Sequence, residues 1–212
     1  MMRTSGLWAV CLAGVMSGIG CATTSPVNVD SLTFEMSHEW RLERPEHDTR
    51  RLQCRVPSHV AELDDAQLTV WHFPGVRDAG DHFVIQKTFD RWQQQFDQGD
   101  VDPAYQLASH SEYRINGLPV YTIDLSGRYV ARTAPGSGLD MSSPNVRMLG
   151  AYIVAPRGDY IVKLVGPASV VARHQGAFET FIRSVRPSDQ AFDVGAPAIP
   201  GRRNAVLTAT RS

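Results

Sequence analysis

The spacing of apolar residues changes twice along this chain, and that change limits the folds open to it. From Arg51 to Val56 apolar and polar residues alternate, which is typical of a strand with one buried face. From Ala79 to Phe96 the apolar residues recur every three or four positions, as in an amphipathic helix. Strand patterns follow, and Ala168 to Val185 return to the helical period. We therefore expect an α+β protein whose mainly antiparallel sheet has helices packed on both faces, a three-layer α/β/α sandwich.

Turn residues divide the strand patterns into hairpins. Asn116-Gly117 separates two strand-like segments, and this pair favours a two-residue hairpin because both positions tolerate positive φ. Residues 156–158, Pro-Arg-Gly, join two more strand-like segments. Trp40 to Arg44 is predicted to be an edge strand, and Gln67 to Phe73 carries apolar groups on both faces. The Gly/Ser/Pro-rich segment 134–145 is predicted to be a long loop, which makes it a candidate binding or capping loop.

The first 20 residues have the layout of a secretory signal peptide. Arg3 precedes a short apolar run, and small residues follow that run. Gly18-Ile19-Gly20-Cys21 resembles the lipobox of bacterial lipoproteins, although that family usually has an aliphatic residue where this chain has Gly18. The resemblance implies that Cys21 is lipidated and becomes the mature N-terminus. The alternative is an ordinary signal cleaved nearby, for example after Ala22, which would release an unanchored protein.

The remaining chain divides by composition. Residues 21–39 begin with a polar, unpatterned tract and are expected to form a tether between the lipid and the domain. Residues 40–187 carry the strand and helix patterns and are expected to form a single domain. Residues 188–212 lack periodicity and are predicted to be a disordered tail.

Charge and cysteine content exclude some classes of protein. The formal net charge is −1, so the chain lacks the strong basic excess that is typical of nucleic-acid-binding proteins. Of the three cysteines only Cys54 follows the targeting segment, so a disulfide within the domain is excluded. Cys54 lies on the apolar face of its strand pattern and is interpreted as a small buried hydrophobe.

Motifs for catalysis are absent from the sequence. The sequence contains no Gly-Xaa-Ser-Xaa-Gly elbow, phosphate-binding loop or dinucleotide fingerprint, and its seven histidines lack metal-ligand spacing. His174 falls at the border of a helical apolar stripe and is interpreted as structural. We expect no catalytic residues, no metal ligands and no cofactor. In particular, we expect no Ser–His–carboxylate or Cys–His set and no cluster of three potential metal ligands.

Three charged residues are candidates for a polar ligand site or a structural ion pair. Lys163 lies between aliphatic residues on a strand, Asp124 shares a strand face with Val120, and Arg91 precedes Trp92 on the first helix. A lysine among aliphatic side chains loses hydration unless a partner compensates. Lys163 is therefore predicted to meet a carboxylate or a backbone carbonyl, with Asp124 as the first candidate.

The order of these segments resembles a PsbP-like fold. The segments that carry the resemblance are FDRWQQQF (89–96), NGLPVYTIDLSGRY (116–129), RMLGAYIVAP (147–156), DYIVKLVGP (159–167) and FETFIRSV (178–185). Together they resemble an uncharacterised bacterial lipoprotein family over roughly residues 40–187. The resemblance implies this fold and an exported location. It implies no reaction, because proteins of this fold are mainly adaptors or assembly factors.

Three functions remain open from the sequence. The first is an envelope-associated lipoprotein that acts as a non-catalytic binding or assembly module, held at a membrane by its lipid and facing the periplasm or the exterior. Its expected partners are that membrane and an envelope protein. The alternatives are a small-molecule or lipid carrier with a pocket between helix and sheet, and a hydrolase with a dispersed active site. A deep apolar pocket would favour the carrier, and a shallow, partly apolar surface would favour the module.

Overall fold

The computed structural model describes residues 23–75, 82–97, 109–129 and 145–188. These residues form two helices and eleven strands. The helices are α1 (His82–Gln93) and α2 (Ala168–Arg183). The strands are β1 (Thr24–Val29), β2 (Leu32–Ser37), β3 (Arg41–Glu43), β4 (Arg50–Val56), β5 (Ala66–Phe73), β6 (Phe96–Asp97), β7 (Ser109–Ile115), β8 (Leu118–Tyr129), β9 (Val146–Ala155), β10 (Gly158–Pro167) and β11 (Arg186–Pro187).

Most strands belong to one antiparallel sheet. Its order is β3-β4-β5-β10-β9-β8-β6, and β7 pairs with β8. Every strand pairing in it is antiparallel. The expected α+β class with mainly antiparallel strands is confirmed.

A second, small sheet corrects the expected tether at residues 21–39. Within that range β1 and β2 form a hairpin, and β11 pairs with β2. Leu32, Phe34 and Met36 are buried in the hydrophobic core, where Phe34 stacks on Phe181 of α2 with ring centroids 4.5 Å apart. The ordered fold therefore includes residues 24–37. Residues 1–22 and 189–212, which contain the expected signal peptide, Cys21 and nearly all of the expected tail, lie outside the described residues, and so do residues 134–144 of the expected loop.

Both predicted hairpin turns are present. Asn116 and Gly117 have φ values of 48° and 83°, the positive values that a two-residue turn of this type requires. The side chain of Asn116 also donates a hydrogen bond of 2.8 Å to the Val185 carbonyl, which fixes the β7–β8 turn against the end of α2. Residues 156–157 connect β9 to β10, as predicted.

Buried apolar residues fall into two clusters, and each helix contributes to one. The larger cluster includes Phe178 and Phe181 of α2, and the smaller includes Phe89 and Trp92 of α1. Successive residues of the central strand β9 alternate between them, with Ile153 in the larger cluster and its neighbours at 152 and 154 in the smaller. The two helices thus pack into different parts of the core.

The predicted helical stripe of α1 is confirmed at Ile85, Phe89, Trp92 and Phe96, which are all buried. Phe96 lies just beyond the helix, in β6. Phe83, an apolar residue near the start of the same predicted helical segment, does not belong to the buried stripe, because its side chain is 67% exposed.

Candidate functional site

A half-open cleft lies between α2 and strands β7, β8 and β9. Its volume is about 390 Å³. Apolar side chains from three elements line it, among them Ile115, Leu149 and Phe178. Charged residues of both signs also line it, namely Arg114, Asp124, Glu179 and Arg183. This mixture suits a ligand that has both apolar and hydrogen-bonding groups.

The β7 side of the cleft is exposed. All residues from Ser109 to Arg114 are exposed, and Tyr113, which lines the cleft, is 47% exposed. In the described ranges β7 pairs with β8 alone, so no strand among them pairs with its outer edge. A free strand edge offers backbone donors and acceptors to an added strand.

Asp124 forms a structural ion pair in this cleft. Arg147 donates two hydrogen bonds to its carboxylate, of 2.9 and 2.6 Å. The same guanidinium donates to the Gln175 side-chain oxygen on α2 at 2.9 Å. The hydrogen bond from Arg147 to Asp124 raises the pKa of the guanidinium. The pair fixes β8 and β9 to α2 and presents a polar group to the cleft.

Lys163 does not meet Asp124, which corrects the sequence prediction. Its ammonium group donates a hydrogen bond of 3.0 Å to the side-chain oxygen of Gln95 and lies 5.3 Å from the centroid of the Trp92 ring. Desolvation by burial lowers its pKa from 10.5 to about 8. Its partners are thus an amide oxygen and an aromatic face.

The three charged candidates do not form one site. Asp124 contacts α2 through Arg147, whereas Lys163 contacts Trp92 of α1. Arg91 is exposed on α1. The sequence therefore identified one cleft residue, Asp124, and missed the residues of β7 and α2 that surround it.

Glu39, His59 and His174 bring three potential metal-ligating groups together, which contradicts our expectation of no such cluster. One ligand atom from each lies within 4.8 Å of the others. The Glu39 carboxylate and His174 Nδ1 are 3.6 Å apart, and the rings of His59 and His174 stack at 6.1 Å. Residues 39, 59 and 174 are far apart in sequence, so ligand spacing could not reveal them. We interpreted His174 as a border residue of a buried helical stripe. Its burial is confirmed, because only 2% of the side chain is exposed.

Cys54 and His72 have environments that limit their reactivity. Burial, and secondarily the carboxylate of Glu43, raise the pKa of Cys54 to about 12. Its predicted role as a buried hydrophobe is confirmed, because the residue is fully buried. The two ring nitrogens of His72 contact the Asp30 carboxylate at 2.7 Å and the Arg157 carbonyl at 3.2 Å, so both are already engaged.

Comparison with known proteins gives structural neighbours only. No protein-family model matches the chain, and no curated protein matches it. A cyanobacterial PsbP, CyanoP from Synechocystis sp. PCC 6803, is similar at 15% identity and a TM-score of 0.49, over 83% of this chain and 99% of its own. LpqN, which is involved in cell envelope biogenesis of Mycobacterium tuberculosis, is similar at 12% identity and a TM-score of 0.49, over 77% and 89%. PA94, a Pseudomonas aeruginosa protein of unknown function, is similar at 11% identity and a TM-score of 0.47, over 79% and 99%.

In the part of the chain that the structure describes, neither helix has the length and apolar character needed to cross a bilayer.

Proposed function

We propose that this chain is a lipid-anchored, non-catalytic binding module of the cell envelope that takes up an extended peptide segment of a partner protein. The observation that carries the proposal is the cleft between α2 and β7, with its mixed lining and its exposed strand edge. The anchor rests on the GIGC sequence ending at Cys21.

An extended peptide fits this cleft for a geometric reason. A peptide that adds to a strand edge gains backbone hydrogen bonds, and its alternate side chains enter pockets beside that edge. β7 supplies the edge, and Tyr113, Ile115 and Phe178 supply apolar surface beside it. Arg114 and Glu179 add charges of opposite sign for polar side chains of the peptide.

The layer arrangement supports the same proposal. We infer that α1 and α2 cover opposite faces of the main sheet in the manner of a PsbP-like three-layer sandwich, because successive residues of β9 alternate between the α1 and α2 clusters. In such an arrangement the core buries both sheet faces and leaves strand edges and helix–sheet clefts for binding.

The small-molecule or lipid carrier remains the second candidate. The cleft volume of about 390 Å³ lies within the range of small-molecule pockets. Native mass spectrometry of the chain purified from its own host distinguishes the two. A lipid or metabolite retained at one copy per chain, and lost in Phe178→Ala, would favour the carrier.

The peptide-binding proposal can be tested with random peptides displayed on phage. We expect the full chain to select peptides whose affinity falls about tenfold or more in Tyr113→Ala, since an exposed aromatic in a cleft is a typical anchor residue. Leu42→Ala is the matched control, because Leu42 is an exposed apolar residue on β3, at the other end of the main sheet. The proposal fails if no peptide is selected, or if both variants bind selected peptides as the wild type does.

The anchor has its own test. Cys21→Ser removes the thiol that lipidation requires, so we expect an unprocessed precursor or a protein released from the membrane fraction. Mass spectrometry of the wild-type N-terminus should find a diacylated cysteine at position 21. An unmodified mature N-terminus at another residue would contradict the anchor without affecting the cleft.

A further inference from the structure

We infer that Glu39, His59 and His174 form a binding site for a zinc ion. Two imidazoles and one carboxylate are a ligand set that zinc accepts, and three protein ligands leave a fourth tetrahedral position for water or another ligand. Calcium and magnesium prefer oxygen ligands alone, so the two histidines argue against them.

The three groups lie somewhat farther apart than the ligands of a bound zinc ion, and the Glu39–His174 pair is near that spacing. Ligand atoms bound at about 2.0–2.1 Å in a tetrahedron lie about 3.3 Å from one another. The Glu39 carboxylate oxygen and His174 Nδ1 are 3.6 Å apart, and all three ligand atoms fall within 4.8 Å. Glu39 and His59 are exposed, so rotation of their side chains can bring the ligand atoms closer together while the buried His174 stays in place.

His174 is oriented as a metal ligand. Its Nε2 lies 2.9 Å from the Pro57 carbonyl, which can only accept, so the ring proton is assigned to Nε2. The indole N–H of Trp40 donates to Nδ1 at 3.4 Å, which places a lone pair there. Ligating histidines commonly donate their other N–H to a carbonyl in this way, which fixes the ring and its tautomer.

His174 Nδ1, whose lone pair accepts the Trp40 hydrogen bond, also lies near a carboxylate, and a cation would be attracted to both groups. Nδ1 and the Glu39 oxygen both carry electron density and lie 3.6 Å apart. Zinc bound to Nδ1 would displace the 3.4 Å hydrogen bond from the buried Trp40 N–H, so the metal–ligand bonds must outweigh the loss of that bond. The ion would also be partly shielded from water, because His174 and Trp40 are buried.

The backbone holds His59 beside this pair. His59 has a φ of 56°, which non-glycine residues seldom adopt. Its loop is fixed on both sides, because the Ser58 hydroxyl donates to the Val60 carbonyl and Asp65 accepts from the Ser58 N–H. The Pro57 carbonyl that orients His174 belongs to the same loop.

Zinc at this position would join three separate parts of the fold. Glu39 lies between β2 and β3, His59 lies between β4 and β5, and His174 lies on α2. None of the three lines the cleft, so the zinc site does not depend on the proposed peptide binding.

Isothermal titration of the untagged, chelator-stripped full chain with zinc chloride tests the site. We expect one zinc ion per chain, with the affinity reduced tenfold or more in Glu39→Gln and in His59→Ala. His47→Ala and Glu62→Gln are matched controls with exposed side chains outside the cluster, and we expect both to bind as the wild type does. Circular dichroism checks that each variant is folded.

A measurement on the wild type alone keeps the inference testable if a variant fails to fold. Zinc should shift the imidazole nitrogen resonances of two histidines and change the environment of the Trp40 indole N–H. Absence of stoichiometric binding, equal binding by all four variants, or zinc shifts confined to other histidines would overturn the site. Those results would identify the cluster as a hydrogen-bonded contact only.

Discussion

At the scale of single residues, burial changes the chemistry of groups whose sequence neighbours are unremarkable. Cys54 lies in β4 and Lys163 lies in β10. Burial raises the pKa of the Cys54 thiol and lowers the pKa of the Lys163 ammonium group. Burial disfavours the charged form in each case, the thiolate of the cysteine and the ammonium of the lysine. A separate prediction therefore follows from the shifted pKa of each group.

Cys54 should be unreactive in the folded protein. Its pKa of about 12 keeps it a thiol at pH 8, and the thiolate is the form that alkylating reagents attack. We expect iodoacetamide to leave the Cys54 peptide unlabelled in native buffer and to label it fully in urea, as measured by peptide mass spectrometry. Native labelling at the rate of a free cysteine peptide would show that the β4 face is open.

Lys163 should make stability depend on pH above about 8. The folded chain releases the lysine proton near pH 8, whereas the unfolded chain keeps it to about pH 10.5. Unfolding therefore takes up a proton between these values, and the free energy of unfolding gains a contribution that rises with pH there. Below pH 8 both states are charged, and the folded state carries the full cost of desolvation.

Lys163→Met removes that contribution. We expect the free energy of unfolding of the variant, relative to that of the wild type, to be highest below pH 8. This difference should fall by up to about 3 kcal/mol by pH 10.5. Urea denaturation at several pH values measures the difference, with the exposed Lys87→Met as the control. A stability difference that stays constant from pH 7 to pH 10.5 would rule out the lowered pKa.

At the level of elements, one close contact between α1 and the sheet is an aromatic residue that lies on a glycine of β9. Trp92 is 4% exposed, and a Cβ added at Gly150 of β9 would lie 2.5 Å from its ring. The glycine thus lets the indole lie directly on the strand. Phe89 packs beside the ring, with centroids 5.4 Å apart.

Trp92→Ala should destabilise the protein by about 3–5 kcal/mol, because it leaves a cavity between α1 and β9. Phe83→Ala is the matched control, an aromatic on the same helix that is 67% exposed, and we expect it to have little effect. Chemical denaturation measures both. Equal midpoints for Trp92→Ala and wild type would mean that α1 contributes little to the core.

Sequence patterns predicted the elements whose signals lie within a few neighbouring residues. Local signals were sufficient for β4, for the Asn116-Gly117 turn and for the apolar stripes of both helices, since each depends on neighbouring residues. The β2 strand was missed although Leu32, Phe34 and Met36 alternate, because the polar tract before them indicated a tether. The period-two signal in those three residues could have revealed it.

Site residues were harder to predict for a physical reason. The Glu39, His59 and His174 cluster and the cleft are assembled from segments that meet only after the sheets form. Asp124 was identified as a charged candidate, but its partner Arg147 lies 23 residues away on the next strand of the sheet. Pairings of this kind depend on strand register, which single-residue patterns do not specify.

For the protein as a whole, we propose that a lipid anchor at Cys21 holds the cleft between β7 and α2 at a membrane surface. A lipid anchor would confine the domain to the membrane surface and raise its effective concentration toward envelope partners. Binding would then require only moderate affinity at the cleft.

Photo-crosslinking in the host envelope tests whether the cleft binds a peptide segment of an envelope protein. A photo-reactive phenylalanine analogue at Tyr113 should form an adduct with one protein of the membrane fraction, at a single short segment identified by mass spectrometry, and a peptide selected by the cleft should abolish the adduct. The same analogue at Leu42 should form none. Adducts of equal yield at both positions, or adducts that persist with the competing peptide, would contradict peptide binding at the cleft.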